Sequence, residues 1–305
     1  MAKGTHEYQD DPRNAGILIY VNGELKPRAE ASISVFDSGF VLGDGVWEGL
    51  RLHRGKILFL DDHLERLYAG ARALDFDIGL DQAALSEALY RTVTANSMHD
   101  HVHIRLIVSR GLKSTPYQDP RMTVGAATIV IIPEYKQPDP AVIEQGVRLA
   151  TVHVRRGPPD VQDPKINSLS KLNCIFACIQ ATKAGADEAL MLDPHGFVAT
   201  CNSTHFFIVR GGEVWTSTGN YCLAGITRAN VIAICRQHGI PVLQRDFSLF
   251  EVYSADEAFV TGTFAGVVPV VDVDGRTLGA GKRGAMTARL QEHYRDFIDA
   301  ECAAS

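Results

Sequence analysis

The chain has 305 residues, enough for two ordinary domains, each with its own core. Apolar residues make up 46% and charged residues 22%, which argues against a disordered or membrane-embedded chain. The net charge of −6 is mild and its signs are interspersed, so no basic stripe offers itself to nucleic acid. The polar, acid-bearing opening (residues 1–16) lacks the apolar core of a signal peptide. The longest apolar runs, such as 126–132, are too short for a bilayer, and a cytoplasmic address is expected. Cys174 and Cys178 lie one helical turn apart, but no second pair completes a metal set. The six cysteines therefore read as small apolar residues, with no metal bound.

Along the chain, 17–25 predicts a hairpin turning at Asn22-Gly23, where positive φ is needed. Residues 50–60 predict a similar one with Arg54-Gly55 at its tip. Asp61 and Asp62 are expected to cap a helix with apolar face Leu64, Leu67, Tyr68, Ala71 and Leu74. A second helix is expected over 81–95, then β-branched strands over 104–109 and 126–132. Three prolines in 133–140 mark a linker, since each fixes φ and removes a donor. This predicts a smaller N-terminal domain (1–135), a linker (136–141) and a larger C-terminal domain (142–305). The latter reads as a strand over 147–154, a Pro/Gly-rich loop, and a helix over 168–184. Strands over 189–209 turn at Pro194-His-Gly196, a helix begins near Thr227, strands lie near 241, 258 and 267, and a terminal helix follows Gly284. Without regular βαβ alternation, the class is α+β rather than a doubly wound α/β sheet.

Three features suit a phosphate. Gly225-Ile226-Thr227-Arg228 opens a helix, whose first N–H groups and partial positive charge attract anions. Thr261-Gly262-Thr263 follows a strand and offers hydroxyls, and Arg66 lies on the helix that follows Asp61 and Asp62. Each alone has a plainer reading, as a helix start, a strand-ending turn and a solvated arginine; together they carry more.

The wider pattern resembles a known family. Ser38-Gly-Phe-Val-Leu-Gly-Asp-Gly-Val-Trp-Glu-Gly-Leu50 with His63-Leu-Glu-Arg-Leu67 is similar to the N-terminal signature of fold-type IV aminotransferases. That group holds the branched-chain, D-amino-acid and (R)-amine enzymes, which depend on pyridoxal 5'-phosphate (PLP). Ala184-Gly-Ala-Asp-Glu-Ala-Leu190, Ala224-Gly-Ile-Thr-Arg228 and Phe259-Val-Thr-Gly-Thr263 with Pro269 resemble its C-terminal blocks, in the same order and spacing. The resemblance implies a two-domain fold like that of D-amino-acid aminotransferase, and a homodimer. It implies amino transfer between a small amino acid or amine and a 2-oxo acid. By it, Arg66, the backbone of Ile226 and Thr227, and Thr263 hold the cofactor phosphate. Trp47, Arg105, Arg110 and Phe264 face the substrate, either arginine pairing with its carboxylate.

Two positions depart from the family pattern. A gapless match from 154–159 and Asp163-Pro164 puts Asn167 where relatives carry the lysine that bonds the cofactor. Lys165 and Lys171 flank it. If 165–167 are extended, Lys165 shares a side with Asn167 and is the first choice, with Lys171 the second. Thr200 stands where relatives carry a glutamate beside the pyridine nitrogen. A hydroxyl can hydrogen-bond that nitrogen but supplies no negative charge, which weakens the electron sink. Two other readings accompany the transferase: a PLP lyase resembling aminodeoxychorismate lyase, and a non-catalytic relative that binds PLP or a phosphate compound.

Overall fold

The computed structural model describes residues 4–6 and 10–303. The chain packs into two compact units. The first contains Asp10–Gln137 and a short returning segment, Ile166–Lys171. The second holds residues 4–6, Pro138–Lys165 and 172–303. The chain passes from one unit to the other within the proline-rich stretch, and the return of 166–171 has no counterpart in the sequence reading.

In the first unit, β1 (Leu18–Val21) and β2 (Glu24–Pro27) form the hairpin over Asn22-Gly23, with Asn22 at positive φ. The helices are α1 (Ser38–Leu42), α2 (Leu60–Ala73) and α3 (Gln82–Ala95). The remaining strands are β3 (Gly45–His53), β4 (Lys56–Ile57), β5 (Val102–Ser109), β6 (Leu112–Lys113), β7 (Thr123–Val124) and β8 (Thr128–Tyr135). Six of the eight strands, all but β6 and β7, make an antiparallel sheet in the order β2-β1-β8-β5-β3-β4. Side chains alternate along β3, so Val46, Glu48, Leu50 and Leu52 are buried on one face. There the apolar residues join a core with Leu64 and Leu67 of α2 and Leu85 and Leu89 of α3. The other face stays open, as antiparallel sheets allow, and carries Trp47 and Arg105.

Two local expectations are corrected. Neither Asp61 nor Asp62 caps α2: the chain enters from Phe59 in the left-handed region, no side chain caps it, and both aspartates lie in the first turn. Their charge there still complements the helix dipole. Strand β8 also runs through Pro133 instead of stopping before it. The proline nitrogen faces the β1 side, and β1 pairs with β8 only at Val130 and Ile131, so no ladder bond is lost.

The second unit is built on a mixed sheet. Its strands are β9 (Val147–Thr151), β10 (Glu188–Leu192), β11 (Val198–Cys201), β12 (His205–Arg210), β13 (Glu213–Thr216), β14 (Val242–Gln244), β15 (Glu257–Gly262), β16 (Gly266–Val273) and β17 (Arg276–Thr277). They run in the order β11-β10-β9-β16-β15-β12-β13-β14, with β17 on β16. The helices are α4 (Pro140–Gln145), α5 (Pro159–Gln162), α6 (Leu172–Lys183), α7 (Ile226–Gln237), α8 (Leu249–Tyr253) and α9 (Ala285–Ala303). Strand β10 is buried at every residue, and Ala177 and Ala181 of α6 pack into a core with Ala189 and Met191. Among the described residues no helix is long and apolar enough to cross a membrane.

Helix α6 begins at Leu172, not at Ser168 as the sequence suggested. Residues 167–169 pair instead along β3. Trp47 N–H donates to Asn167 O at 3.0 Å, Leu169 N–H donates to Gly45 O at 2.9 Å, and Val46 bridges Ser168. Backbone pairing there outcompetes another helical turn.

Candidate active site

The chemistry-bearing side chains fall into two sets, one in each unit. In the first unit the returning segment places Asn167 beside Trp47. Asn167 is buried, and its Nδ2 donates to Trp47 O at 2.7 Å. Lys171 Nζ donates to Asn167 Oδ1 at 2.9 Å and lies 5.1 Å from the centre of the Trp47 ring. The amine of Lys171 therefore stands at the tip of residue 167, four positions back in sequence. Lys165 behaves differently. It is exposed and lies in a turn held by its N–H donating to Asp163 Oδ1 at 2.9 Å. The extended backbone that would align it with Asn167 is absent.

The open sheet face adds a cation among apolar groups. Arg105 sits opposite Gly49 and Ile132, and its guanidinium stacks 4.1 Å over the Trp47 ring. Trp47 lies opposite Ile107, and Ile107 opposite Val130; all are half-buried. Loss of hydration lowers the Arg105 pKa from its usual range, with Glu134 acting in the other direction, yet an arginine remains charged. Lys136 is also lowered, first by burial and then by Arg105, while Glu134 opposes.

Arg110 is occupied elsewhere. It forks onto Asp44 at 2.6 and 3.2 Å and donates to the carbonyls of Leu74 and Asp75. These bonds tie the loop after α2 to the end of β5, a structural task.

Arg66 is half-buried, and two of its donors go to Glu48, at 2.8 and 2.6 Å. His63 Nδ1 lies 2.7 Å from the same carboxylate. Glu48 is fully buried; burial pushes its pKa upward, but the hydrogen bonds from His63 and Arg66 prevail and hold it below the ordinary glutamate value of 4.5. Glu48 and His63 stand within the quoted family signature, but sequence reading assigned no role to either. The available signal was a lone carboxylate in the buried phase of β3, between Val46 and Leu50.

In the second unit, α7 starts from Gly225 with no side-chain cap. The first N–H groups of a helix have no partner within it, so those of Ile226 and Thr227 point outward as donors. A side chain at Gly225 would collide with the His205 ring, which is anchored to Leu223 O at 2.8 Å. Thr227 is buried, Thr263 is half-buried, and Thr261 keeps a fully buried hydroxyl with no hydrogen-bond partner. This donor set fits a phosphate monoester.

Thr200 is buried, and its hydroxyl donates to Thr204 O at 2.8 Å. With its proton committed, it can only accept a further hydrogen bond. The nearest buried carboxylate in that network is Glu188, which accepts from Thr204 Oγ1 at 2.6 Å, from Ser203 at 3.0 Å and from Thr5. Phe264 is buried and stacks on His6, with ring centres 5.9 Å apart.

Known proteins share this arrangement of sequence and fold. Residues 45–273 match the profile of the class IV amino-transferases. The chain is 41% identical, over 94% of its length, to the Arabidopsis thaliana branched-chain-amino-acid aminotransferase-like protein 2, of which it spans only 51%. It therefore covers about half the length of that relative. It is 32% identical to the Pseudomonas aeruginosa branched-chain-amino-acid aminotransferase, covering 94% of each chain. It is also 31% identical to a Listeria monocytogenes D-alanine aminotransferase, covering 93% of this chain and 97% of that one. Among solved structures, the T.th. branched-chain amino acid aminotransferase with pyridoxamine 5'-phosphate superposes with a TM-score of 0.88. The two chains are 31% identical over 94% of this one and 95% of that one.

Replacing Glu48 by Gln removes the buried negative charge that Arg66 and His63 share, and we expect a loss of about 3–5 kcal/mol at neutral pH. The Glu48 pKa is depressed in the folded state, so its contribution is complete above about 4.5 and is lost as pH falls through the folded value. Urea unfolding of both proteins across pH checks this: the gap should be constant near neutrality and close in acid. A gap independent of pH would refute it.

Proposed function

Because the chain belongs to the class IV aminotransferases, we propose that it moves an amino group between a small, branched-chain-like amino acid and a 2-oxo acid, with pyridoxal 5'-phosphate as cofactor. The observation that carries this is the amine of Lys171, hydrogen-bonded to Asn167 Oδ1. The family's cofactor lysine has become asparagine at 167, yet a primary amine is delivered to that residue's tip. Lys171 is therefore read as the lysine that bonds the cofactor and moves the proton.

PLP supplies an electron sink for bonds at the amino-bearing carbon. The protein's part follows from its own groups. The α7 N–H groups of Ile226 and Thr227, with Thr263, would hold the phosphate, and Arg66, steadied by Glu48, would add a cationic donor. Thr200 would accept from a protonated ring nitrogen without countering its charge. Proton movement would then rest more heavily on Lys171 than it does in an enzyme with a carboxylate there. Arg105 would receive the substrate carboxylate, while Trp47, Ile107, Val130 and Ile132 on the same face would meet an aliphatic side chain.

The test is a half-reaction. Protein loaded with PLP and given a branched-chain amino acid alone should release one equivalent of 2-oxo acid per subunit, and turn over only when an acceptor oxo acid is added. Pyruvate released from aminodeoxychorismate, supplied in a parallel reaction without an acceptor, would favour the lyase, and no product from either substrate would favour a binding protein. Arg105→Ala should raise KM for the oxo acid about 10- to 100-fold with a much smaller change in kcat, the loss expected for one charge-assisted contact.

A homodimer is proposed on separate grounds. Leu172, Ile175, Phe176 and Ile179 form an exposed stripe on α6, on the side away from Ala177 and Ala181. Lys183, in the last turn, is the one charged residue of that helix. A two-fold axis sets such a face against itself, which requires the absence of like charge. Phe176→Asp should yield a monomer by light scattering; an unchanged mass for variant and wild type would exclude this face.

A further inference from the structure

We propose that Asn167 is a positioning residue for Lys171, so that asparagine and lysine together present an amine where a single lysine at 167 would have placed it. The inference rests on the reading of Lys171 given above and extends it to a second side chain. Asn167 is held to Trp47 twice, by Trp47 N–H donating to its carbonyl at 3.0 Å and by its own Nδ2 donating to Trp47 O at 2.7 Å. Because Nδ2 is committed to a carbonyl, the orientation of the amide is fixed and Oδ1 is turned to the only role it can play, that of acceptor. Lys171 Nζ fills that role at 2.9 Å and rests against the same Trp47 ring.

The choice of asparagine has a chemical consequence. A lysine stem is long and flexible, and a single exposed amine samples many positions. A buried acceptor with one permitted direction selects among them. A carboxylate in the same place would also select, but it would favour the charged ammonium, which is not a nucleophile. The neutral amide supplies direction without locking the charge.

The test uses the full chain loaded with PLP, reduced with borohydride across a pH series, with the phosphopyridoxyl tag located by peptide mapping. In the wild type the tag should fall on Lys171. Asn167→Ala should keep its circular dichroism and melting temperature within a few degrees, while the yield of tag on Lys171 at neutral pH drops at least about fivefold. Asn167→Asp, nearly isosteric and informative even if the alanine variant misfolds, should move the pH of half-maximal tagging upward by about one unit. Wild-type yield and pH midpoint in the folded variants would overturn the positioning role and leave Lys171 as the reacting amine. A wild-type tag on Lys165 would overturn both.

Discussion

The antiparallel pairing of residues 167–169 with Gly45–Trp47 is the contact on which the proposed chemistry depends. It delays the start of α6 to Leu172, buries Asn167 and aims its amide. Close approach makes it possible: a side chain on Gly45 would run into the Val108 carbonyl, Ser109 and Leu169. The glycine is thus set by packing between strands as much as by the segment it receives. From this pairing follow the position of Lys171, its contact with Trp47 and the sharing of that ring with Arg105.

Electrostatics divides the first unit by sheet face. On the buried face one carboxylate, Glu48, organises His63 and Arg66, and the low-dielectric setting makes that cluster costly to break. On the open face, the Arg105 guanidinium and the Lys171 amine meet one indole ring; Glu134 acts on Arg105 from a distance. A face of this kind suits a monoanion with an aliphatic tail. The second unit, taken by itself, has backbone and hydroxyl donors at the start of α7 and the end of β15, and a buried hydroxyl at Thr200.

Much of this was legible in the sequence because it is local. The Asn22-Gly23 hairpin, the turn at Arg54-Gly55 and the helix after Asp61-Asp62 follow from turn chemistry and periodicity. The family signature singled out Ile226, Thr227 and Thr263, which lie at a helix start and just past a strand end, where donors are left over. What the sequence left open depends on long-range partners. Asn167 was visible as an odd residue, but its bond to Lys171 requires knowing that 167–169 pair with β3 and not with the helix. Arg105 and Arg110 looked equivalent until Asp44 and two carbonyls claimed the second. Lys165 is the exception: its alignment with Asn167 supposed an extended 165–167, whereas the local Asp163-Pro164 signal closes a turn onto its N–H.

The central claim is that the reacting amine has moved from 167 to 171. Single-turnover transfer from a branched-chain amino acid, measured for Lys171→Ala and Lys165→Ala loaded with PLP to equal occupancy, tests it most directly. Removing a residue that moves the proton should slow the step by about 10²–10⁴, so Lys171→Ala should fall by that factor while Lys165→Ala stays within a few fold of wild type. A Lys171→Ala protein that transfers at the wild-type rate would contradict the account.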